Sequence, residues 1–120
     1  MSSNKNLSIA HKWFEAFNNQ NTDQLLSLYD DHAEHFSPRL KEKNPESTGI
    51  LKGKKEMQTW WESAFEDLPT LQYKVTSLTA NSDRVFMEYI RIVNGEKDLL
   101  VAEVLDIKEG MIIFSRVYLG

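Results

Sequence analysis

The sequence contains no cysteine, which excludes three kinds of chemistry at once. Without thiols there is no disulfide framework, no thiolate metal site and no cysteine nucleophile, and such a composition fits a reducing compartment. No stretch approaches the ~18 consecutive apolar residues of a membrane span. The first residues, MSSNKNLSIAHKWF, lack the basic end and apolar centre of a signal peptide. We therefore expect a soluble, cytoplasmic protein with no membrane partner.

The chain also lacks a concentration of positive charge. Its formal net charge is −4, and the lysines and arginines are spread along the sequence except for short clusters at 41–43 and 52–55. Nucleic-acid binding usually needs a basic face, so we expect no nucleic-acid partner. Aromatic residues, by contrast, make up 11% of the 120 residues. That apolar area suits either a thick core or an aromatic-lined pocket. The length fits a single domain over residues 1–120.

Apolar periodicity predicts three helices in the first half of the chain. After a flexible tail at residues 1–5, the first helix carries an apolar stripe of Leu7, Ala10, Trp13, Phe14 and Phe17. The second lies within TDQLLSLYDD, with Asn21 or Thr22 as its cap. The third begins at Lys54, in KKEMQTWWESAFEDLP, and ends at the proline.

Between the second and third helices, HAEHFSP predicts a short strand or an extended entry to a loop. Residues 38–53 carry two prolines and two glycines with little periodicity, so we interpret them as one long loop.

Four strand-like segments follow the helices: LQYKVTSL, RVFMEYIRIV, LLVAEVLDI and MIIFSRVYL. Short turn signals separate them, and the Asn94-Gly95 pair is the strongest hairpin signal. Helices first and consecutive strands afterwards predict an α+β domain, with an antiparallel meander covered on one face by helices.

Two acids, Glu103 and Asp106, lie three positions apart in LVAEVLDI. Side chains alternate between the faces of a sheet, so these acids point to opposite sides. Glu103 shares its face with the bulkier set, and we predict that it points inward while Asp106 points outward. An unpaired ionised carboxylate there would cost several kcal/mol, so Glu103 must find a donor, meet water in a cavity or stay protonated.

Two histidines in DDHAEH invite a metal-site interpretation. In an extended segment His32 and His35 point in opposite directions, and spacing places no third ligand, so we expect no metal. His35 shares a strand face with Ser37. It is either a pocket residue, acting as a neutral base or hydrogen-bond partner, or a surface histidine.

Several segments together resemble a known family over nearly the whole chain: LLSLYDDHAEHFSP, GKKEMQTWWESAF and VLDIKEGMIIFSRVYLG. They resemble the nuclear transport factor 2-like superfamily, in particular its SnoaL-like and ketosteroid-isomerase-like branch. The resemblance implies a curved antiparallel sheet wrapped around N-terminal helices, forming a cone with an apolar pocket. It also implies a homodimer through the outer face of the sheet. Members include isomerases, polyketide cyclases, dehydratases, epoxide hydrolases and proteins without catalysis.

The isomerase pattern carries over only in part. The aspartate base of the steroid isomerases falls at Ser37, whose hydroxyl is no base near neutral pH. Their oxyanion-binding tyrosine falls at Trp13 and their supporting tyrosine near Trp61. Their second oxyanion donor, an aspartic acid kept protonated by an apolar site, falls at Glu103. The resemblance thus implies a pocket that keeps the buried acid without the base, so steroid isomerisation by that mechanism is not expected.

Arg91 is the natural partner of Glu103, provided that the hairpin register allows it. A two-residue turn at Asn94-Gly95 would set Arg91 opposite Asp98, whereas a three-residue or bulged turn would bring Arg91 onto the face of Glu103. In that second register Arg91 would keep Glu103 ionised and could bind an anionic group on a ligand.

The predicted site has two catalytic candidates, Glu103 and His35, and no metal or cofactor. The predicted ligand-binding residues are Trp13, Ser37, Trp61, Tyr89 and Arg91. Two functions remain open: a cofactor-free isomerase or lyase that moves a proton on a small apolar carbonyl compound, and a non-catalytic module that binds a small ligand or a protein.

Overall fold

The computed structural model describes residues 2–119, which form four helices and six strands. In chain order they are α1 (Ser2–Asn18), α2 (Thr22–Leu26), β1 (Tyr29–Phe36), α3 (Pro38–Lys43), β2 (Ile50–Lys52), α4 (Gly53–Asp67), β3 (Gln72–Ala80), β4 (Arg84–Ile92), β5 (Leu99–Lys108) and β6 (Met111–Leu119).

The six strands form one sheet in the order β2-β1-β6-β5-β4-β3. The last four strands make the predicted antiparallel meander. β1 joins the edge of β6 in parallel and β2 pairs with β1, so the complete sheet is mixed. α1 packs against β3 and β4, α4 packs against β1 and β2, and α2 contacts both helices. The helices therefore cover one face of a curved, open sheet, and the α+β prediction is confirmed.

The first helix begins earlier and the second ends earlier than periodicity predicts. Residues 2–5, predicted as part of a tail, are helical; Met1 lies outside the described residues. The side chain of Asn21 caps α2 by accepting from the backbone N–H of Gln24 at 3.0 Å. The helix stops at Leu26 because the buried Tyr29 starts β1, which pairs with β6.

The prediction of one long loop at residues 38–53 is wrong, because the segment contains α3 and β2. Ser37 is extended at the N-cap of α3 and Pro38 occupies its first turn. α3 has no buried residue, and hence it leaves no apolar period in the sequence. β2 is only three residues long and forms by pairing with β1, where His35 faces Leu51. Short elements of this kind carry almost no local signal.

The β4–β5 connection settles the register that the sequence left open. Arg91 lies opposite Leu99, so residues 93–98 form a longer turn than a two-residue hairpin. Gly95 has φ +83, a left-handed conformation that a residue without Cβ adopts at little cost. Arg91 consequently lies on the same sheet face as Glu103.

Candidate active site

A cavity lies between the inner face of the sheet and the helices, with a free volume of about 80 Å³. The seven site residues predicted from the sequence all line it: Trp13, His35, Ser37, Trp61, Tyr89, Arg91 and Glu103. The remaining walls are mostly apolar and aromatic and include Phe17, Trp60, Leu71, Tyr73, Val101 and Val117.

Glu103, in the centre of β5, is 1% exposed, and its carboxylate has one hydrogen-bond partner. The hydroxyl of Tyr89 donates to Oε1 at 2.8 Å, while Oε2 is buried with no partner among the described residues. Burial raises the pKa of Glu103 to about 7, and the hydrogen bond from Tyr89 opposes that rise. Asp106 lies on the other face and accepts from Arg84 at 2.7 Å. Strand alternation therefore separates the two acids as predicted.

Arg91 makes no hydrogen bond to Glu103 within residues 2–119, although it lies on the same face of the sheet and is 5% exposed. Its Nη1 donates instead to Oε1 of Glu96, in the turn after β4, at 2.8 Å. The expectation that Arg91 keeps Glu103 ionised is wrong, because the longer turn supplies the arginine with a nearer carboxylate. This ion pair leaves one Glu103 oxygen free.

Four buried side chains form a second polar group, which we call the Ser115 cluster: Trp13, Tyr29, Ser115 and His35. The indole Nε1–H of Trp13 donates to the Tyr29 hydroxyl at 3.0 Å, and that hydroxyl donates to Ser115 Oγ at 2.9 Å. Ser115 Oγ and His35 Nδ1 lie 2.6 Å apart. The cluster crosses from α1 to β1 and β6, where His35 and Ser115 are register partners.

The order of donors in the Ser115 cluster assigns the tautomer of His35. An indole only donates, so the Tyr29 hydroxyl gives its own proton to Ser115, and Ser115 gives its proton to His35 Nδ1. Burial lowers the pKa of His35 to about 4, so the ring is neutral at pH 7. The neutral ring then carries its proton on Nε2, at the edge away from Ser115.

Aromatic rings hold these polar groups in place. Trp13 stacks on Phe17 with ring centroids 5.2 Å apart, Phe17 stacks on Tyr73 at 3.9 Å, and Tyr73 stacks on Tyr89 at 4.1 Å. The Tyr89 hydroxyl that reaches Glu103 is therefore fixed by a continuous stack. On the opposite wall, Trp61 lies 5.4 Å from the ring of His35.

Ser37 is buried beside the N-terminus of α3, and its hydroxyl makes no cap hydrogen bond there. His32 is exposed and His35 buried, so the two rings lie on opposite sides of β1. Within residues 2–119 no group of three metal-binding side chains occurs.

Sequence reasoning missed Tyr29 and Ser115 as site residues. Tyr29 falls within the predicted second helix, TDQLLSLYDD, whereas the structure has it as the first residue of β1. Ser115, fully buried in MIIFSRVYL, sits on the inner face of a strand, as Glu103 does. Strand alternation, which places Glu103 on the inner face, places Ser115 there as well.

The open cone of helices and sheet defines the nuclear transport factor 2-like fold. The model of the SnoaL-like domain matches residues 10–114, and the chain belongs to this family. No protein of curated function matches the sequence. Within residues 2–119 no helix has the length and apolar character needed to cross a membrane.

Three solved structures illustrate the likeness. A SnoaL-like protein of unknown function from Burkholderia thailandensis is 23% identical, with 95% of this chain and 93% of that chain covered and a TM-score of 0.85. A nuclear transport factor 2-like protein from Anabaena variabilis is 22% identical, with 97% and 90% covered and a TM-score of 0.77. A candidate ketosteroid isomerase from Kribbella flavida is 15% identical, with 98% and 79% covered and a TM-score of 0.80. At these identities the likeness shows the fold.

Proposed function

We propose that the protein is a cofactor-free isomerase or lyase in which Glu103 moves a proton next to the carbonyl group of a small organic molecule. The observation that carries the proposal is the free Oε2 of Glu103, buried at the cavity with no partner among residues 2–119. Buried polar atoms are nearly always paired in proteins. An unpaired carboxylate oxygen on a residue that lines an aromatic cavity is therefore a candidate for contact with a ligand.

The raised pKa of Glu103 suits acid–base work. A catalytic group is most effective when its pKa lies near the working pH, and the pKa of Glu103, about 7, gives both protonation states near neutrality. Tyr89 holds Oε1, so proton transfer occurs at Oε2. The ionised form takes a proton from carbon and the acid form returns it.

His35 is proposed to stabilise the oxygen of the same substrate. As the α-proton moves to Glu103, the electron pair of the C–H bond shifts to the carbonyl oxygen and forms an enolate. The Nε2–H of a neutral imidazole can donate to that oxygen, and the Ser115 cluster holds the ring in this tautomer. Return of the proton to a different carbon completes an isomerisation, and expulsion of a leaving group completes an elimination.

The experiment is α-hydrogen exchange in D₂O, followed by proton NMR over a panel of small ketones, enones and keto acids. It detects proton transfer whatever the final product is. We expect the wild type to accelerate exchange of at least one compound. Glu103→Gln should reduce the acceleration ~100-fold or more, because general acid–base groups typically contribute at least that factor.

Asp106→Asn is the matched control, since it removes an acid of the same strand from the outer face and should leave exchange unchanged. Exchange by Glu103→Gln at the wild-type rate would contradict the proposal. So would a panel in which no compound exchanges faster with the protein than without it.

The second candidate is a non-catalytic module that binds a small ligand. The observation that favours it is the mostly apolar and aromatic wall of the cavity, which suits binding of an apolar molecule without any chemistry. Compounds that bind the cavity without any exchange would identify this function.

We also propose that the protein is a cytoplasmic homodimer assembled through the outer face of the sheet. Apolar side chains are exposed there, with Phe86 at 44%, Leu100 at 58% and Tyr118 at 48%. Sedimentation velocity of the wild type and of Leu100→Glu tests the assembly. We expect a dimer and a monomer respectively, and a monomeric wild type would contradict it.

A further inference from the structure

One end of the cavity carries a small excess of positive charge in a chain whose formal net charge is −4. An outer chamber of about 260 Å³ shares Arg39, Trp60 and Arg91 with the inner cavity. Three cations and two carboxylates line this chamber: Arg39, Lys43, Arg91, Asp67 and Glu96. The charge at the entrance is thus opposite in sign to that of the molecule.

Arg91 is buried with most of its donors unused. A guanidinium carries five N–H groups in a planar fork. The structure gives them one acceptor within residues 2–119, Oε1 of Glu96 at 2.8 Å. A buried arginine normally has several of its donors satisfied, since charged groups are expensive to desolvate. The remaining nitrogen atoms of Arg91 are not among the buried unpartnered atoms of residues 2–119, so they are open to water or to a ligand.

Arg39 adds a second guanidinium at the same place. It lines both the inner cavity and the outer chamber, and it has no ion-pair partner in the part of the chain that the structure describes. Lys43 is less available, because its Nζ lies over the ring of Trp60, 5.3 Å from the ring centroid. Two arginines thus lie at this end of the cavity: Arg39 has no ion-pair partner among the described residues, and Arg91 has one.

We propose that the ligand is a small carboxylate whose acid group binds Arg91 and Arg39 while its other end reaches Glu103. Paired N–H groups of arginine match the two oxygens of a carboxylate, and such charge-assisted bonds are strong. Glu96 already shows that a carboxylate fits one edge of this guanidinium.

The register of the sheet fixes the length of such a ligand. Glu103 pairs with Met87, four residues before Arg91 on β4. At about 3.4 Å per residue, their backbone rows lie about 14 Å apart. The two side chains shorten that gap, so a ring or a short chain fills it, and the ring of Tyr89 lies midway. Together with the proposed function, on which this part rests, the substrate is a carboxylic acid that also carries a carbonyl group.

The test uses phenylacetate and its neutral isostere phenylacetamide, titrated into the ¹⁵N-labelled protein. All three tryptophans of the chain, Trp13, Trp60 and Trp61, line the cavity, so their indole N–H signals report binding directly. We expect phenylacetate to bind at least ~10-fold more tightly than the amide. Arg91→Gln should remove that preference, and Glu96→Gln should strengthen carboxylate binding severalfold because a competing negative charge is lost.

Arg116→Gln is the control for net charge, since Arg116 lies on the outer face, over the ring of Phe114. It should keep the full preference for the acid. Arg39→Gln serves as a second variant in case Arg91→Gln fails to fold, and it should weaken phenylacetate alone.

Equal binding of acid and amide, or no binding of either at millimolar concentration, would overturn the proposal. So would a preference that survives in Arg91→Gln, or in Arg39→Gln should that variant be needed. Glu103→Gln separates this proposal from the catalytic one, because it should abolish α-hydrogen exchange while the preference for the carboxylate persists.

Discussion

Two buried polar groups face the same cavity, and they differ in how completely they are paired. In the Ser115 cluster each member has a partner, from the indole of Trp13 to Nδ1 of His35. In the Tyr89–Glu103 pair one carboxylate oxygen has none. A fully paired network rigidifies its surroundings, whereas an unpaired group stores free energy that a ligand can release. We interpret the cluster as the part that positions and the pair as the part that reacts.

Ser115→Ala should disrupt the Ser115 cluster and have the largest effect on stability. It leaves the Tyr29 hydroxyl proton and His35 Nδ1 without partners in a buried site, and each unpaired group costs about 1–3 kcal/mol. We expect a loss of roughly 4 kcal/mol in the free energy of unfolding, measured by urea titration. Ser77→Ala, at an exposed position of β3, should change it little. A Ser115→Ala variant as stable as Ser77→Ala would mean that the cluster holds nothing in place.

Glu103→Gln should sharpen the comparison through its dependence on pH. The folded protein keeps the Glu103 proton up to a pKa of about 7, whereas the unfolded chain releases it near 4.5. Between pH 4.5 and pH 7 the folded state binds more protons than the unfolded state, so the free energy of unfolding of the wild type falls as pH rises through this range.

At about 1.4 kcal/mol per pKa unit, the loss by pH 8.5 is on the order of 3 kcal/mol relative to Glu103→Gln. Urea titrations of both proteins at pH 5 and pH 8.5 measure the difference, from which all other groups cancel. A difference that stays constant with pH would show that the carboxyl of Glu103 has an ordinary environment.

His35→Asn should give the opposite slope. The folded protein holds His35 neutral down to a pKa of about 4, whereas the unfolded chain takes up the proton near 6.5. The wild type therefore gains free energy of unfolding as pH rises from 4 to 6.5, by up to about 3 kcal/mol relative to His35→Asn. Parallel stability curves for the two proteins would contradict the burial of a neutral ring.

Tyr89→Phe should have the smallest effect, because it removes a single hydrogen bond from a carboxyl that burial already keeps largely protonated. We expect about 1 kcal/mol less stability at pH 5. The pKa of Glu103 should rise further, since the bond from Tyr89 lowers it. An NMR titration of the variant measures the shift, and a fall in the pKa would show that the hydroxyl stabilises the neutral acid instead.

Strand alternation predicted which of the two acids points inward, and the family resemblance predicted that a pocket lies there. The inward position of Glu103 and the shared face of His35 and Ser37 follow from a period of two, which tertiary structure leaves unchanged. The turn signals between strand-like segments predicted the four antiparallel strands. The identity of the residue gave a further prediction: a single acid among branched apolar side chains needs a hydrogen-bond donor or a cavity.

The features that the sequence did not predict depend on contacts between distant parts of the chain. β2 exists only because it pairs with β1, and α3 buries no residue, so neither leaves a pattern. The longer β4–β5 turn placed Arg91 on the face of Glu103 but also brought Glu96 within reach, and Arg91 pairs with Glu96. The Ser115 cluster joins residues as far apart as Tyr29 and Ser115, which no local period connects.

The most direct test of the account is a carbon-detected NMR titration of the Glu103 carboxyl in the ligand-free protein. The carboxyl of Glu103 should titrate with a midpoint near pH 7, because burial with one free oxygen disfavours the ionised form. A midpoint at or below the ordinary value of 4.5 would contradict it, since the carboxylate would then be paired or solvated and would have no raised pKa to use.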